Sequence, residues 1–388
     1  MNTKEFRTRT IFQKRKNPSF DETKWVIALD MGYSAIKGMS ENMVYSFPYY
    51  ARKLPDNVKQ LGDSNETDIL YKDCKTGEVW IVGAGAQSMI SMEDSNDSIT
   101  TMYGRNRYFS EIFKVTSKVG IALGIITNDF GCMANKELFI QTGLPPIYLA
   151  SDAPLLKEAL AGNQSFDVKI GKGEWAHVEY NISESNIKVM SQPMGTLFSV
   201  ASDQSGAFTK ETQNYFKSKL LVFDPGFGTS DYFPIKNNMP GESQTFDNLG
   251  MKQVLVETSR EIKKRYNVEI SVPSFQSYLE KGTINQFDRR AMKNVQIPFN
   301  DILEEASKKI CFQNIEKMKE LYNYMQELDY LIITGGCGAA WSGYIRDYLK
   351  DMENLKIISG NQNDTLPYIF SNVRGYYMFM VQTFKKKK

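Results

Sequence analysis

The 388 residues, 41% hydrophobic and 24% charged, allow two or three domains with a sizeable core, and no run reaches the ~20 apolar residues that span a bilayer. An integral membrane protein is thereby excluded. The net charge of +2 hides two basic ends: residues 1–16 carry +5 and Lys385 to Lys388 carry +4, which leaves −7 for the body between them.

An acidic body does not match a folded nucleic-acid-binding domain, so no direct sequence-specific DNA binding is expected. The two short arms read as solubilising, disordered tails that can still meet acidic partners. Cys74, Cys132, Cys311 and Cys337 are dispersed and form no CxxC pair, and His177 is the sole histidine. Neither a zinc nor a disulfide framework is expected, and His177, in GKGEWAHVEY, reads as a surface strand residue. With no secretory signal, the cytoplasm is the expected compartment.

Residues 1–24 lack apolar periodicity and contain Pro18, so they read as a disordered basic extension. WVIALD, Trp25 to Asp30, is a continuous apolar run of the kind buried on both faces of a sheet. MVYSFPYYARKL predicts a second strand and EVWIVGAGA a third, with QLGDSNETD as a loop between them. From Ser110 to Ile125 the spacing is helical, and ELFIQTGLP is a strand stopped by Gly143, Pro145 and Pro146. Residues 150–190 are polar, with short strands in HVEYNISES and NIKVMSQP. KLLVFDPGFGTSDYFPI then repeats the opening theme of apolar strand, acid, glycine turn and strand. Helical periodicity follows in MKQVLVETSREIKKRYNV, SFQSYLEKG and DILEEASKKICFQNIEKMKELYNYMQEL, and YLIITGGCGAAW closes with a buried strand, a glycine turn and a helix.

Three of these turns carry candidate chemistry. A triphosphate with Mg²⁺ needs backbone N–H groups aimed at its oxygens, close approach of the chain, a carboxylate near the metal and a nearby cation. DMGYSAIKG offers all four: Gly32 for the turn, the amides around Tyr33 and Ser34, Lys37 as the cation, and Asp30 for the metal. D-x-G is nonetheless common at strand ends. DPGFGTSD sets two acids around two glycines and a threonine, so Asp224 can face the metal while Gly226, Phe227, Gly228 and Thr229 face the γ-phosphate; its plain alternative is an ordinary hairpin turn. In TGGCG, the bare backbone of Gly335, Gly336 and Gly338 can admit a flat adenine and its ribose, or merely form a tight strand-to-helix turn.

In order and spacing these loops resemble the phosphate-1, phosphate-2 and adenosine motifs of the actin, Hsp70 and sugar-kinase superfamily. Within it the chain looks most like bacterial plasmid-segregation actins of the ParM/StbA type, through TGLPPIYL, WIVGAGA, KVMSQPMG and VRGYYMF. The resemblance implies an α/β, actin-like (ribonuclease H-like) duplicated fold with two domains around a central nucleotide cleft. The expected boundaries are residues 25–190 plus 366–384 for the first domain, 191–365 for the second with the adenosine loop, and 385–388 for a basic tail. It further implies that Gln192 orients the attacking water, with Asp224 as its catalytic partner, and that the helix ETSREIKKRY contacts the base through residues such as Glu257, Arg260, Glu261 or Lys264. Tyr33 departs from the pattern, because relatives commonly carry a small hydroxyl there, and Ser34 is the surviving one.

The expected function is that of an ATPase with Mg²⁺-ATP, GTP being admitted, that assembles head-to-tail into dynamic filaments, hydrolyses ATP slowly and moves plasmid DNA through a DNA-binding adaptor on a centromere. Alternatives on the same fold are a small-molecule kinase or phosphatase, and a membrane-associated scaffold that uses the basic arms.

Overall fold

The computed structural model describes residues 7–19, 21–55, 65–90, 105–237, 239–288 and 291–385. The first six residues, most of the QLGDSNETD loop and Lys386 to Lys388 lie outside the described residues.

One strand pattern occurs twice. In the first sheet, Lys24–Met31 turns back antiparallel onto Ala35–Ser40 and runs parallel to Glu137–Leu144, which runs parallel to Ile187–Ser191. In the second, Lys219–Pro225 turns back onto Ser230–Lys236 and runs parallel to Tyr330–Ile333, which runs parallel to Lys356–Ser359. Parallel neighbours need long crossovers. Helices supply them, Glu111–Ile125 and Leu149–Leu160 in the first half and Met251–Tyr266, Asn300–Leu321 and Gly335–Tyr348 in the second.

The opening strand is apolar throughout because both of its faces are covered. Trp25, Ile27 and Leu29 pack with Phe113, Val119 and Leu123, whereas Val26 and Ala28 pack with Val373, Tyr376 and Tyr377. Ser110 caps the helix Glu111–Ile125 by accepting from the Phe113 amide at 3.2 Å, which satisfies one of its free N-terminal donors. An antiparallel five-stranded sheet, ordered Ala176–Ile182, Gly162–Ile170, Ile69–Asp73, Val79–Val82 and Ala51–Lys53, extends the first half. A hairpin, Thr283–Asp288 with Lys293–Pro298, extends the second.

Two helices join the halves, Gln192–Ala201 and Ser371–Lys385. They meet at glycines: a Cβ on Gly375 would lie 1.6 Å from the Gly195 carbonyl oxygen, so the two backbones touch. Among the described residues no helix is long and apolar enough to cross a membrane.

Several elements depart from the sequence reading. Ile11–Lys14, placed in a disordered extension, is an edge strand paired with Met43–Ser46; its hydrogen-bonding edge outweighs its polar composition. The strand Ala35–Ser40 escapes notice because Lys37 and Gly38 break its apolar run. Gly38 is required there, since a Cβ would fall 2.0 Å from the Tyr45 ring. Leu149–Leu160 is a helix despite Pro154, and it lies in a span that reads as polar with strands.

Candidate functional site

A cleft between the halves forms a cavity of about 570 Å³. It is lined by both phosphate-type hairpins and by the Gly335-Gly336 turn. Each hairpin arises in the same way: a buried strand carries an aspartate as its next-to-last residue, a short loop follows, and the return strand sets a residue seven positions on directly opposite. Asp30 thus faces Lys37, and Asp224 faces Asp231. Thr229 closes the second loop by accepting from the Gly226 amide at 2.8 Å.

The electrostatics of the two hairpins differ. Lys37 Nζ donates to Asp30 Oδ2 at 2.8 Å. Burial disfavours the Lys37 ammonium, but Asp30, with Asp224 further off, outweighs it and holds the pKa above the usual lysine value. Asp224 has no such cation. Burial pushes its pKa up to about 6, with the Asn372 amide, 2.6 Å away, opposing the rise and the Asp30 charge adding to it. Asp231 is raised to about 8, first by burial and then by Asp224, although Thr245 donates to it at 2.6 Å.

Gln192 opens the helix Gln192–Ala201 and its amide donates to Asp30 Oδ1 at 3.3 Å. Hydrogen bonding also links the adenosine-type turn to the carboxylates. Thr196 Oγ1 lies 2.8 Å from Thr334 Oγ1 and 2.6 Å from Asn372 Oδ1, and Asn372 holds Asp224.

The glycines show whether a nucleotide and a hard cation fit. Gly335 has φ +74°, and a Cβ there would stand 2.8 Å from Asp224 Oδ1, so the adenosine-type turn lies hard against the carboxylate. That is bare backbone held in a left-handed conformation at a cavity wall. Asp30, Asp224 and Asp231 all line the cavity and offer the oxygen donors a hard cation prefers, but their ligand atoms do not all lie within 4.8 Å of one another, so a cation there would use one or two of them together with water and phosphate oxygens. The donor types and the bare backbone of the wall are those that a nucleotide and a hard cation require.

Of the residues singled out in sequence, Asp30, Gly32, Tyr33, Ser34, Lys37, Gln192, Asp224, Gly226, Phe227, Gly228, Thr229, Gly335 and Gly336 line the cavity together. Gly338, Glu257 and Lys264 do not. A Cβ on Gly338 would meet Ile333 at 2.9 Å, so that glycine serves helix–strand packing. Glu257 is held by Arg260 and Lys309, and Lys264 is a largely exposed residue near Glu261. His177 Nδ1 donates to Asp167 Oδ1, 2.9 Å away, on the exposed face of the five-stranded sheet. Cys74 completes a group whose ligand atoms lie within 4.8 Å of one another, the one His/Cys/acid cluster of metal-binding geometry among the described residues, which dispersal in sequence did not suggest.

Residues without a sequence signal complete the site. Arg107 donates to the carbonyls of Met31 at 2.5 Å and Gly32 at 3.3 Å, beneath the first loop. Its guanidinium stacks 4.3 Å from the Tyr33 ring centre, a cation–π arrangement. Tyr33 in turn fills the place where a Gly228 side chain would stand, since a Cβ there would lie 2.6 Å from the ring. The tyrosine that departs from the family pattern thus brings the two loops into contact. Asn372, on the helix returning to the first half, and Asp231, noted only as part of its motif, also line the cavity.

Residues 28–195 match the family model described as the N-terminal domain of actin-like proteins. No curated protein matches the sequence significantly. Among solved structures, a non-polymerisable quadruple mutant of pCBH ParM is 22% identical, with a TM-score of 0.68 over 92% of this chain and 99% of that one. A 15-stranded ParM filament from Clostridium botulinum is 21% identical, with a TM-score of 0.67 over 93% and 99%. The archaeal actin homologue Ta0583 in complex with ADP is 15% identical, with a TM-score of 0.60 over 93% and 99%. At such identities the likeness is one of fold. The fold is the two-domain actin-like one, shared with the ParM structures, and residues 28–195 carry the resemblance to actin-like proteins.

Proposed function

We propose that this chain is an ATP-dependent polymerising actin-like protein, which assembles head-to-tail, hydrolyses ATP slowly in the filament and segregates plasmid DNA through a DNA-binding adaptor. The observation that supports this reading best is the convergence of Asp30, Asp224 and Gly335, far apart in sequence, on one cavity. The similar ParM filament and the ADP complex of Ta0583 add to it.

In this reading the amides of Gly32 to Ser34 and of Phe227 to Thr229 take the phosphate oxygens, and Lys37 sits beside them. Asp30 and Asp224 would hold Mg²⁺, which supplies charge neutralisation to the phosphates when bound. Gln192 keeps its amide on Asp30 and its carbonyl toward an attacking water. An amide positions water but is no strong base, so turnover is slow. Loss of the γ-phosphate removes the group that both loops grip, and the halves change their relation across the cleft. A heterologous surface that does not close on itself converts that change into filament instability.

Light scattering, sedimentation and electron microscopy with ATP, with ADP and without nucleotide test the proposal. Filaments with ATP that decay as phosphate is released are expected. A protein that binds ATP yet stays monomeric at micromolar concentrations overturns polymerisation.

A further inference from the structure

The edge strand Ile11–Lys14 has a consequence for the cleft. Ile11 pairs with Ser46, Ser46 with Lys37, and Lys37 with Asp30. These four residues form one row across the sheet, each step about 4.8 Å, and directly opposite residues share a face. The row starts at the candidate metal carboxylate and ends at the N-terminal arm. Arg7, Thr8, Arg9 and Ile11 are themselves part of the cavity wall.

The arm is held firmly just beyond that point. Asn17 donates from its side chain to the Ser40 carbonyl at 2.6 Å and from its amide to the Glu41 carbonyl at 2.7 Å. Arg15 pairs with Asp364 at 2.9 Å, and the same carboxylate takes Arg374 Nε at 2.9 Å, fully shielded from solvent. Tyr377 donates to the Pro18 carbonyl at 2.8 Å. At its other end, Arg7 reaches Glu280, just after the helix Val272–Leu279 of the second half, at 2.5 Å. The arm therefore leaves the first sheet, runs along the cavity and is pinned to the opposite half.

Two polar atoms in this wall lack partners. Ser46, 1% exposed, has a buried Oγ with no hydrogen bond, and so does Arg7 Nε. Both are donors, both belong to cavity-lining residues, and buried donors without acceptors are costly unless a ligand or water takes them. Lys37 supplies positive charge next to Ser46 in the same row. The vacant hydrogen-bonding capacity matches oxygen acceptors of an anionic ligand.

We infer that Arg7 to Ile11 form a fourth wall of the nucleotide site, in which Arg7 and Ser46 donate to nucleotide oxygens and the Arg7–Glu280 pair latches the arm across the cleft. The inference rests on the nucleotide-binding reading above. It assigns a role to part of the basic extension: nucleotide leaves only after the arm lifts, so the arm sets residence time. The latch is partly exposed, with Arg7 and Glu280 side chains 33% and 45% accessible, so it is salt-sensitive and weak enough to open repeatedly.

The test is release of a fluorescent ADP analogue, chased by unlabelled MgADP, from the full chain and from four variants. Removing residues 1–10 is expected to speed release about tenfold, and Arg7→Ala about fivefold, near the limit for a partly exposed ion pair plus one hydrogen bond. The charge-swapped pair Arg7→Glu with Glu280→Arg restores the latch but not the hydrogen bond, and lands between Arg7→Ala and the parent. Ser46→Ala weakens affinity about threefold, as expected for one neutral hydrogen bond, without altering the salt dependence of release. Unchanged release from both the truncated chain and Arg7→Ala, with nucleotide still bound, overturns the inference while leaving the proposed function intact. Absence of nucleotide binding to the full chain overturns both.

Discussion

The hairpin of the first half and that of the second are built on one plan and charged in opposite ways. Both place an aspartate, next to last in its strand, opposite the residue seven positions later. In the first that residue is Lys37, and the rung neutralises itself. In the second it is Asp231, and two buried carboxyls face each other with no cation in the rung, Lys37 acting on Asp224 only from the neighbouring hairpin. A buried acid pair is unfavourable unless a proton or a metal separates the charges. The comparison teaches that the first hairpin carries its own counter-charge, whereas the second leaves its two acids to burial, which raises both pKa values, with Lys37 only partly opposing the rise at Asp224.

The sharpest way to break this comparison is Asp224→Asn, which removes the cation-demanding charge while keeping shape and the Asn372 contact. Nucleotide hydrolysis is expected to fall about 100- to 1000-fold, measured as phosphate release at saturating Mg²⁺-ATP. A parent-like rate shows that the second hairpin does not serve the chemistry.

Next in size is Asp231→Asn. In the folded, metal-free protein this carboxyl titrates near 8, against about 3.9 in an unfolded chain. Between those values the folded state holds the extra proton, so stability is greatest at the acid end and declines as pH rises toward 8. Asp224, near 6, pulls the same way. Asp231→Asn keeps the Thr245 contact, removes its share of the decline and is expected to stabilise the metal-free protein at pH 8 by at least about 2 kcal/mol. Urea denaturation at pH 5 and pH 8, in chelator, reads this directly. A parent-like slope in the variant would show that Asp231 is ionised in the fold.

The smallest effect probes where the two hairpins touch. Gly228→Ala pushes on the Tyr33 ring, whose nearest atom would lie 2.6 Å from the new Cβ. It is expected to cost about 1 kcal/mol. Tyr33→Ser in the same chain should recover most of that cost, a non-additivity seen by comparing denaturation midpoints of the two single variants and the double one. Additive losses would mean that the loops do not communicate through this contact.

Much of the architecture is legible in residue order, for reasons the structure makes physical. Trp25 to Asp30 and Leu220 to Asp224 read as strands because covering both faces demands unbroken apolar runs. The helix Glu111–Ile125 announces itself through its helical spacing, and Ser110 caps it in the structure. What escapes is whatever depends on a distant partner. Ala35–Ser40 is a strand because Lys24–Met31 lies beside it, and Ile11–Lys14 because Met43–Ser46 offers an edge. The site follows the same rule. Local glycine and acid spacing exposes Asp30, Gly32, Asp224 and Gly335, while Arg107 and Asn372 reach the cavity from elements with no motif, and the base-contacting residues expected on the helix Met251–Tyr266 stay outside its walls.

The crossing of Gly195 over Gly375 bears on how the molecule can move. Interlocked side chains resist sliding and rolling, because each knob must leave its hole. Here the closest contact is main chain on main chain, with the Tyr376 ring seated over Gly195 beside it. Around that contact the two helices are tied by directional bonds, Thr196 to Asn372 and the buried Arg374 to the Ser199 and Ser202 carbonyls, so a turn of one half on the other would have to shear these bonds while the glycines stay in touch.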